Sequence, residues 1–220
     1  MLNIDSTLIQ LDFDNTLTIG NVSELIHDQF GPENWEEVYA KYLDDLITVE
    51  ESNIFSFKNL KTSKSDLDKF VRSNVKFREG VLDFFVYLNK AKLDYVIVSS
   101  GVDFYIYSAL SSIGIDPNSI VIKSGKSDFN YNGISVKYLN PKNKFIVDDF
   151  KHSYTEFYRN IYSTIIYFGD SNTDISAASI SDIVFATDEL DKYLNNKKID
   201  HYYFNDFNNV LNIFKHNLNL

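Results

Sequence analysis

The sequence predicts an α/β protein: a Rossmann-like, largely parallel sheet with flanking helices and a small helical domain inserted after the first strand. Three observations predict it. A short apolar run near the amino terminus, LIQLDF, stops at an acidic turn, DNT. A stretch of helical periodicity follows, with no strand in it. From residue 80 onward, apolar runs of strand length alternate with segments of helical period, as in successive βαβ units.

In the first strand Leu8, Ile9, Leu11 and Phe13 are apolar, and Asp12 and Asp14 sit two apart. In a strand that spacing puts both side chains on one face. Asn15-Thr16 then turns the chain away, which places both acids at the carboxyl end of a strand, where α/β sheets keep their ligands. Two adjacent carboxylates repel each other, and a divalent cation with a preference for oxygen, such as magnesium, compensates them.

Residues 19–75 read as the helical insert, lying over Asp12, and residues 1–18 with 76–220 as the core. Within the insert, Trp35, Val38, Tyr39, Tyr42, Leu43 and Leu46 recur at helical spacing behind Gly31-Pro32, where proline suits a helix start. Thr48 with Glu51 forms a capping-box pattern, and Ser63 with Asp66 a weaker one. The apolar stripes of the insert are expected to serve helix packing. In the core, 80–90 is helical, with Val81, Leu82, Phe85 and Leu88 on one face. DYVIVSS (94–100) is a buried-type strand ending in hydroxyls, 102–113 is helical, and 119–123 is a strand. Asn132-Gly133 marks a hairpin within 129–138. A helix at 152–161 carries Tyr154, Phe157, Tyr158 and Ile161 on one face. A strand (164–168), a short helix (173–180) and a strand (182–186) follow. Strands separated by helices imply right-handed crossovers.

Composition narrows the function. The 220 residues are 44% hydrophobic and 24% charged, an ordinary globular balance with enough chain for a substantial core. A net charge of −10 disfavours nucleic acid and anionic membrane surfaces as partners. The absence of cysteine removes disulfides and thiolate nucleophiles. No apolar run reaches a membrane span, and the amino terminus lacks a basic region followed by an apolar one, so a cytoplasmic location is expected.

The residues that carry chemistry fall at strand ends and helix starts: Asp12 and Asp14, then Ser99-Ser100-Gly101, then Lys151, then Gly169-Asp170-Ser171-Asn172-Thr173-Asp174. A lysine at a helix amino terminus opposes the helix dipole, which points to a function beyond helix formation. Asp170 ends a strand and Asp174 lies in the first turns of the next helix, so both can face one crevice. This ordered set resembles the four motifs of the haloacid dehalogenase superfamily. The insert after the first motif and the run VSSGVDFYIY resemble its phosphoserine-phosphatase-like branch, and in particular the SGGxDF segment of methionine-salvage phosphatases.

That resemblance implies a magnesium-dependent phosphatase of small phosphorylated metabolites, with the helical insert as a cap. It implies Asp12 as the nucleophile and Asp14 as the proton donor to the leaving alcohol. Ser99 would bond the phosphoryl group, with Ser100 and Gly101 beside it, and Lys151 would neutralise charge. Magnesium would be held by Asp12, Asp170 and the carbonyl of Asp14, with Asp174 in support. Ser100 replaces the glycine usual in this branch, so Ser99 and Ser100 can share or exchange roles. Lys142 and Lys144 compete with Lys151, at a spacing from Asp170 that fits the family less well. Asn21 stands where the branch has an acid that meets the ammonium of phosphoserine, with Glu24 the nearest carboxylate, which favours a substrate without an amino group. Transfer to an acceptor other than water, or binding without catalysis, uses the same constellation. His27, His152, His201 and His216 match no motif and read as packing or surface residues.

Overall fold

The computed structural model describes residues 3–218. Strand β1 (Thr7–Leu11) is buried along its whole length, because it pairs in parallel on both sides, with β4 (Asp94–Val102) and with β7 (Thr164–Gly169). β5 (Val121–Asn130) extends the sheet beyond β4, and β8 (Ile183–Ala186) and β9 (Tyr202–Tyr203) extend it beyond β7. β6 (Gly133–Lys137) closes one edge, antiparallel to β5 through the expected Asn132-Gly133 hairpin. The order is β6-β5-β4-β1-β7-β8-β9, with strand direction of travel reversing at β1. Ligands of open α/β sheets bind at that switch point, outside the carboxyl ends of the strands.

Core helices α5 (Val81–Ala91), α6 (Asp103–Ser112) and α7 (Phe150–Arg159) form where expected, but two of their inner faces differ. On α5 Phe84 is buried and Leu82 exposed, and on α7 Phe150 joins Tyr154 and Tyr158 inside while Phe157, and Ile161 beyond the helix, are exposed. α8 (Ile175–Ser179) follows β7. Beyond β8 the chain adds α9 (Asp188–Lys197) and α10 (Phe207–Ile213). Phe84, Phe168, Phe185, Phe204, Phe207 and Phe214 are fully buried together, with the Phe168 and Phe185 rings stacked at 4.5 Å. Each such side chain contributes about 1.5–3 kcal/mol by leaving water.

Between β2 (Thr18–Ile19) and β3 (Lys76–Phe77) lie the helices α1 (Val22–Phe30), α2 (Trp35–Leu43), α3 (Val49–Lys58) and α4 (Lys64–Asn74). β2 and β3 pair with each other, so the chain enters and leaves the insert through one antiparallel ribbon. These two-residue strands are too short to carry a period. The Thr48–Glu51 capping box is present on α3, and Ser63 caps α4 through the Asp66 amide.

Three further local expectations need correction. α2 starts at Trp35 rather than at Pro32, whose carbonyl accepts the Trp35 N–H in a preceding turn. The apolar stripe of α2 does not pack into a core: none of its residues is buried, and Leu43 and, just beyond the helix, Leu46 are 62% and 70% exposed. It borders a cavity instead. Finally, β4 does not end at its hydroxyls but runs on to Val102. Its register against β5 shifts between Val98 and Val102, a bulge of the kind that re-aims side chains near sites.

Candidate active site

The carboxyl ends of β1, β4 and β7 open into a cavity of about 620 Å³, roofed by α1, α2 and α3. Asp12, Asp14, Asn21, Ser99, Ser100, Gly101, Lys151 and Asp170 all border it. Asp12 is the first residue past β1, and its amide continues the ladder by donating to the Phe168 carbonyl (3.1 Å). Asp170 likewise follows β7 directly, so adjacent parallel strands deliver two carboxylates side by side.

Lys151, in the first turn of α7, is 3% exposed and sits 3.1 Å from Asp12 Oδ2 and 2.6 Å from Asp174 Oδ1. Burial opposes its charge, but Asp12, Asp174 and Asp170 outweigh burial and hold its pKa above the usual lysine range. Lys142 and Lys144 are exposed on the loop before α7. Thr16 Oγ1 lies 3.3 Å from both Asp12 Oδ2 and Asp170 Oδ1, bridging the two acids.

Asp174 is fully buried and saturated with donors. Its Oδ1 accepts from Lys151 and the Tyr167 hydroxyl (2.5 Å), and its Oδ2 from the amides of Asp170 and Ser171. Ser171 and Asp174 also form a capping box around the turn Asn172–Asp174, which explains how GDSNTD folds locally. Gly169 is required there, since a Cβ would come within 2.5 Å of the Asp174 carboxyl carbon. Asp174 therefore organises Lys151 and the Asp170 backbone.

Carboxylate oxygens of Asp12, Asp170 and Asp174 all lie within 4.8 Å of one another. Burial and mutual repulsion push Asp170 well above the usual carboxylate range and raise Asp12 against the opposing pull of Lys151. Three buried carboxylates stand against one ammonium at the floor of the cavity. That donor set fits a divalent cation with oxygen ligands.

Asp14 is held apart from this cluster. Its Oδ1 accepts the N–H of Val22 at the start of α1 (2.8 Å), and its Oδ2 accepts the Tyr105 hydroxyl (2.8 Å). With its carboxylate turned to α1 and Tyr105, only its backbone carbonyl is left to serve a metal. Burial raises its pKa to about 7, placing a protonated carboxyl within reach near neutrality. Gly101 makes this pairing possible, because a Cβ there would lie 2.2 Å from the Tyr105 hydroxyl and 2.7 Å from Asp14 Oδ2.

The two serines are distinguished. Ser99 Oγ accepts from the Gly101 amide (3.0 Å) at the cavity wall. Ser100 Oγ donates away from it, to Glu50 on α3 (2.9 Å). Asn21 borders the cavity and is the N-cap of α1, its side-chain oxygen accepting the Glu24 amide. Glu24 accepts the Tyr39 hydroxyl (2.5 Å).

Sequence reading missed Thr16, Glu50, Asn53, Arg78 and Tyr105. Arg78 donates twice to the Asn15 carbonyl and pairs with Asp188, fixing the turn after Asp14. A pattern signal existed only for α3: Glu50, Asn53 and Phe57 share a helical face, but it is mostly polar, so hydrophobic periodicity passes over it. Of the histidines, His27 is buried against Trp35 and Phe57, and His201 pairs with Asp191; neither borders the cavity.

No family model matches the sequence. The chain is 28% identical over 209 residues to a 2-hydroxy-3-keto-5-methylthiopentenyl-1-phosphate phosphatase of Bacillus cereus (strain ATCC 10987 / NRS 248), covering 93% of this chain and 94% of that protein. A phosphoserine phosphohydrolase-like protein from Francisella tularensis superposes with a TM-score of 0.67 at 18% identity, covering 94% of this chain and 99% of that one. A phosphoserine phosphatase solved as a phospho-aspartyl intermediate analogue superposes with a TM-score of 0.64 at 16% identity, covering 93% and 97%. No helix among the described residues is long and apolar enough to cross a membrane. The chain is thus similar over nearly its whole length to a Bacillus phosphatase, and it has the α/β fold of the phosphoserine phosphatases and other haloacid-dehalogenase-type hydrolases.

Proposed function

We propose that the protein is a magnesium-dependent phosphatase that hydrolyses a small phosphorylated metabolite through an aspartyl-phosphate on Asp12. The observation that carries this is the division of labour between the two acids of the first motif. Asp12 is paired with Lys151 and stands beside Asp170, while Asp14 is held separately, raised in pKa, across the same cavity.

An Asp12 oxygen attacks phosphorus as the ester P–O bond breaks, and Asp14 gives its proton to the leaving alcohol oxygen. Asp14 then takes a proton from the water that attacks the aspartyl-phosphate, returning Asp12 and releasing phosphate. Ser99 donates to a phosphoryl oxygen, and Lys151 neutralises charge on the phosphoryl group and on Asp12. Asp12, Asp170 and the Asp14 carbonyl would hold magnesium, which supplies charge neutralisation to the transferring group. The insert, 19–75, acts as the cap that closes over the leaving group. Asp14→Asn should slow alkyl phosphates, whose alkoxide leaves poorly, by about 100-fold more than activated aryl phosphates, the contribution typical of a general acid. Equal losses on both would count against that role.

The cap side of the cavity narrows the substrate. It presents Asn21, Ser23, Ser52 and Asn53 beside Tyr39, Tyr42, Leu43 and Val49, and among the described lining residues from the insert there is no lysine or arginine. Arg78, which also lines the cavity, is committed to the Asn15 carbonyl and Asp188 rather than to a substrate carboxylate, and Glu24 accepts the Tyr39 hydroxyl. This supports a keto or polyol phosphate over phosphoserine, in keeping with the substrate named for the Bacillus relative. Phosphate release from a panel of phosphorylated metabolites, with magnesium, calcium or a chelator, tests both halves. Magnesium should be required, calcium should inhibit, and phosphoserine should show a kcat/KM at least ~10-fold below keto and polyol phosphates. Phosphoserine as the best substrate would overturn the substrate reading, and full activity in chelator the metal. Added acceptor alcohols that lower phosphate yield at constant substrate loss would reveal transfer to an acceptor other than water.

A further inference from the structure

We propose that Glu50 and Asn53, on α3, are positioning residues that hold the serine-bearing bulge of β4 in its working shape by gripping Ser100. The proposal rests on the phosphatase reading of the cavity. Its starting point is a gap in the sheet. Pairing of β1 with β4 ends at Ile97, and pairing of β4 with β5 lapses between Val98 and Val102. Ser99, Ser100 and Gly101 therefore have no ladder register on either side, yet this segment carries the hydroxyl offered to the phosphoryl group.

Side chains supply what the ladder does not. Ser100 Oγ donates to Glu50 Oε1 (2.9 Å), and the Ser100 carbonyl accepts from Asn53 Nδ2 (2.9 Å) and the Tyr138 hydroxyl (2.5 Å). Asn53 is itself fixed, by Tyr138 (3.1 Å) and by the Ser23 hydroxyl donating to its Oδ1 (3.1 Å). Glu50, Asn53, Ser100 and Tyr138 are all buried. A hydroxyl has one proton to give. Ser100 gives its proton to Glu50, so the serine left to donate into the cavity is Ser99.

Glu50 is 3% exposed, and burying a carboxylate is costly unless it is bonded. Its presence at a position where the face of α3 turns inward is explained by the Ser100 hydroxyl, which stands where this branch usually has glycine. The pair forms a bolt between the insert and the core that neither half provides alone.

The test is a double-mutant cycle of wild type, Ser100→Ala, Glu50→Met and Ser100→Ala/Glu50→Met, read by kcat, KM and thermal melting. Ser100→Ala strands a buried carboxylate and loosens the bulge, and kcat should fall ~10-fold or more with a lower Tm. Removing both partners should recover much of both losses, because an apolar pair leaves nothing unsatisfied. Glu50→Gln, which still accepts the Ser100 proton, should keep most activity. Ser99→Ala should lose kcat/KM without any rescue by Glu50→Met. If Ser100 bonds the phosphoryl group directly, the double variant will be no better than Ser100→Ala, and the proposal fails. Additive melting temperatures would overturn it equally, and that readout needs no turnover. A wild-type protein that releases no phosphate would instead sink the phosphatase reading, with the melting cycle still deciding the bolt.

Discussion

Asp12→Asn should reduce steady-state phosphate release by ~10⁴-fold or more, to the background of the assay, since loss of a covalent nucleophile removes the chemical step itself. An amide is a poor nucleophile toward phosphorus and a poor magnesium ligand, so two contributions vanish together. The fold should not suffer. Asp12 is buried beside two further carboxylates with a single ammonium among them, and burial already disfavours its charge. Removing that charge relieves repulsion with Asp170 and Asp174 while the amide keeps a bond to Thr16. In metal-free protein the Tm should therefore stay level or rise, with an unchanged circular dichroism spectrum. Phosphate release within tenfold of wild type would refute the covalent assignment.

Lys151→Met should be the most damaging single change to stability as well as to turnover. Methionine replaces the apolar stem and deletes the ammonium, leaving Asp174 without its 2.6 Å partner and Asp12 without its 3.1 Å one. Breaking a buried ion pair from one side costs about 3–5 kcal/mol, which for a chain of this length lowers Tm on the order of 10 °C. Turnover should fall with it, because the phosphoryl charge and Asp12 lose the same counter-charge. Thermal melts alongside phosphate release decide the matter: a Tm within a degree or two of wild type would mean that Lys151 is not what holds the acids together. Asp174→Asn keeps one acceptor oxygen for two donor sets, Lys151 with Tyr167 at Oδ1 and the Asp170 and Ser171 amides at Oδ2, so it too should lower Tm.

The core of this protein was legible because its elements obey the two periods that side chains impose. The alternation of buried runs and amphipathic helices gave β1, β4, β7 and β8 with the helices between them, and Asn132-Gly133 gave the hairpin to within a few residues. The motif residues were legible for a related reason. Asp12, Ser99, Lys151 and Asp170 each sit at or within a few residues of a strand end or helix start, so their chemistry is local to a sequence signal, and parallel strands bring those signals to one edge.

What sequence alone could not decide lies in contacts made at long range. Both Ser99 and Ser100 border the cavity, but the Ser100 hydroxyl donates to Glu50, some fifty positions earlier, and no local pattern ties the two. The separation of Asp14 from Asp12 is made by Val22 and Tyr105, and the two-apart rule for strands does not apply because β1 ends at Leu11, before either acid. α2 was misread for the converse reason. Apolar residues at helical spacing specify a helix with one greasy face, but only the tertiary structure decides whether that face meets a core or borders an open cavity, as Tyr39, Tyr42 and Leu43 do. Periodicity encodes which side of an element avoids water, and the packing of the rest of the chain determines what that side meets.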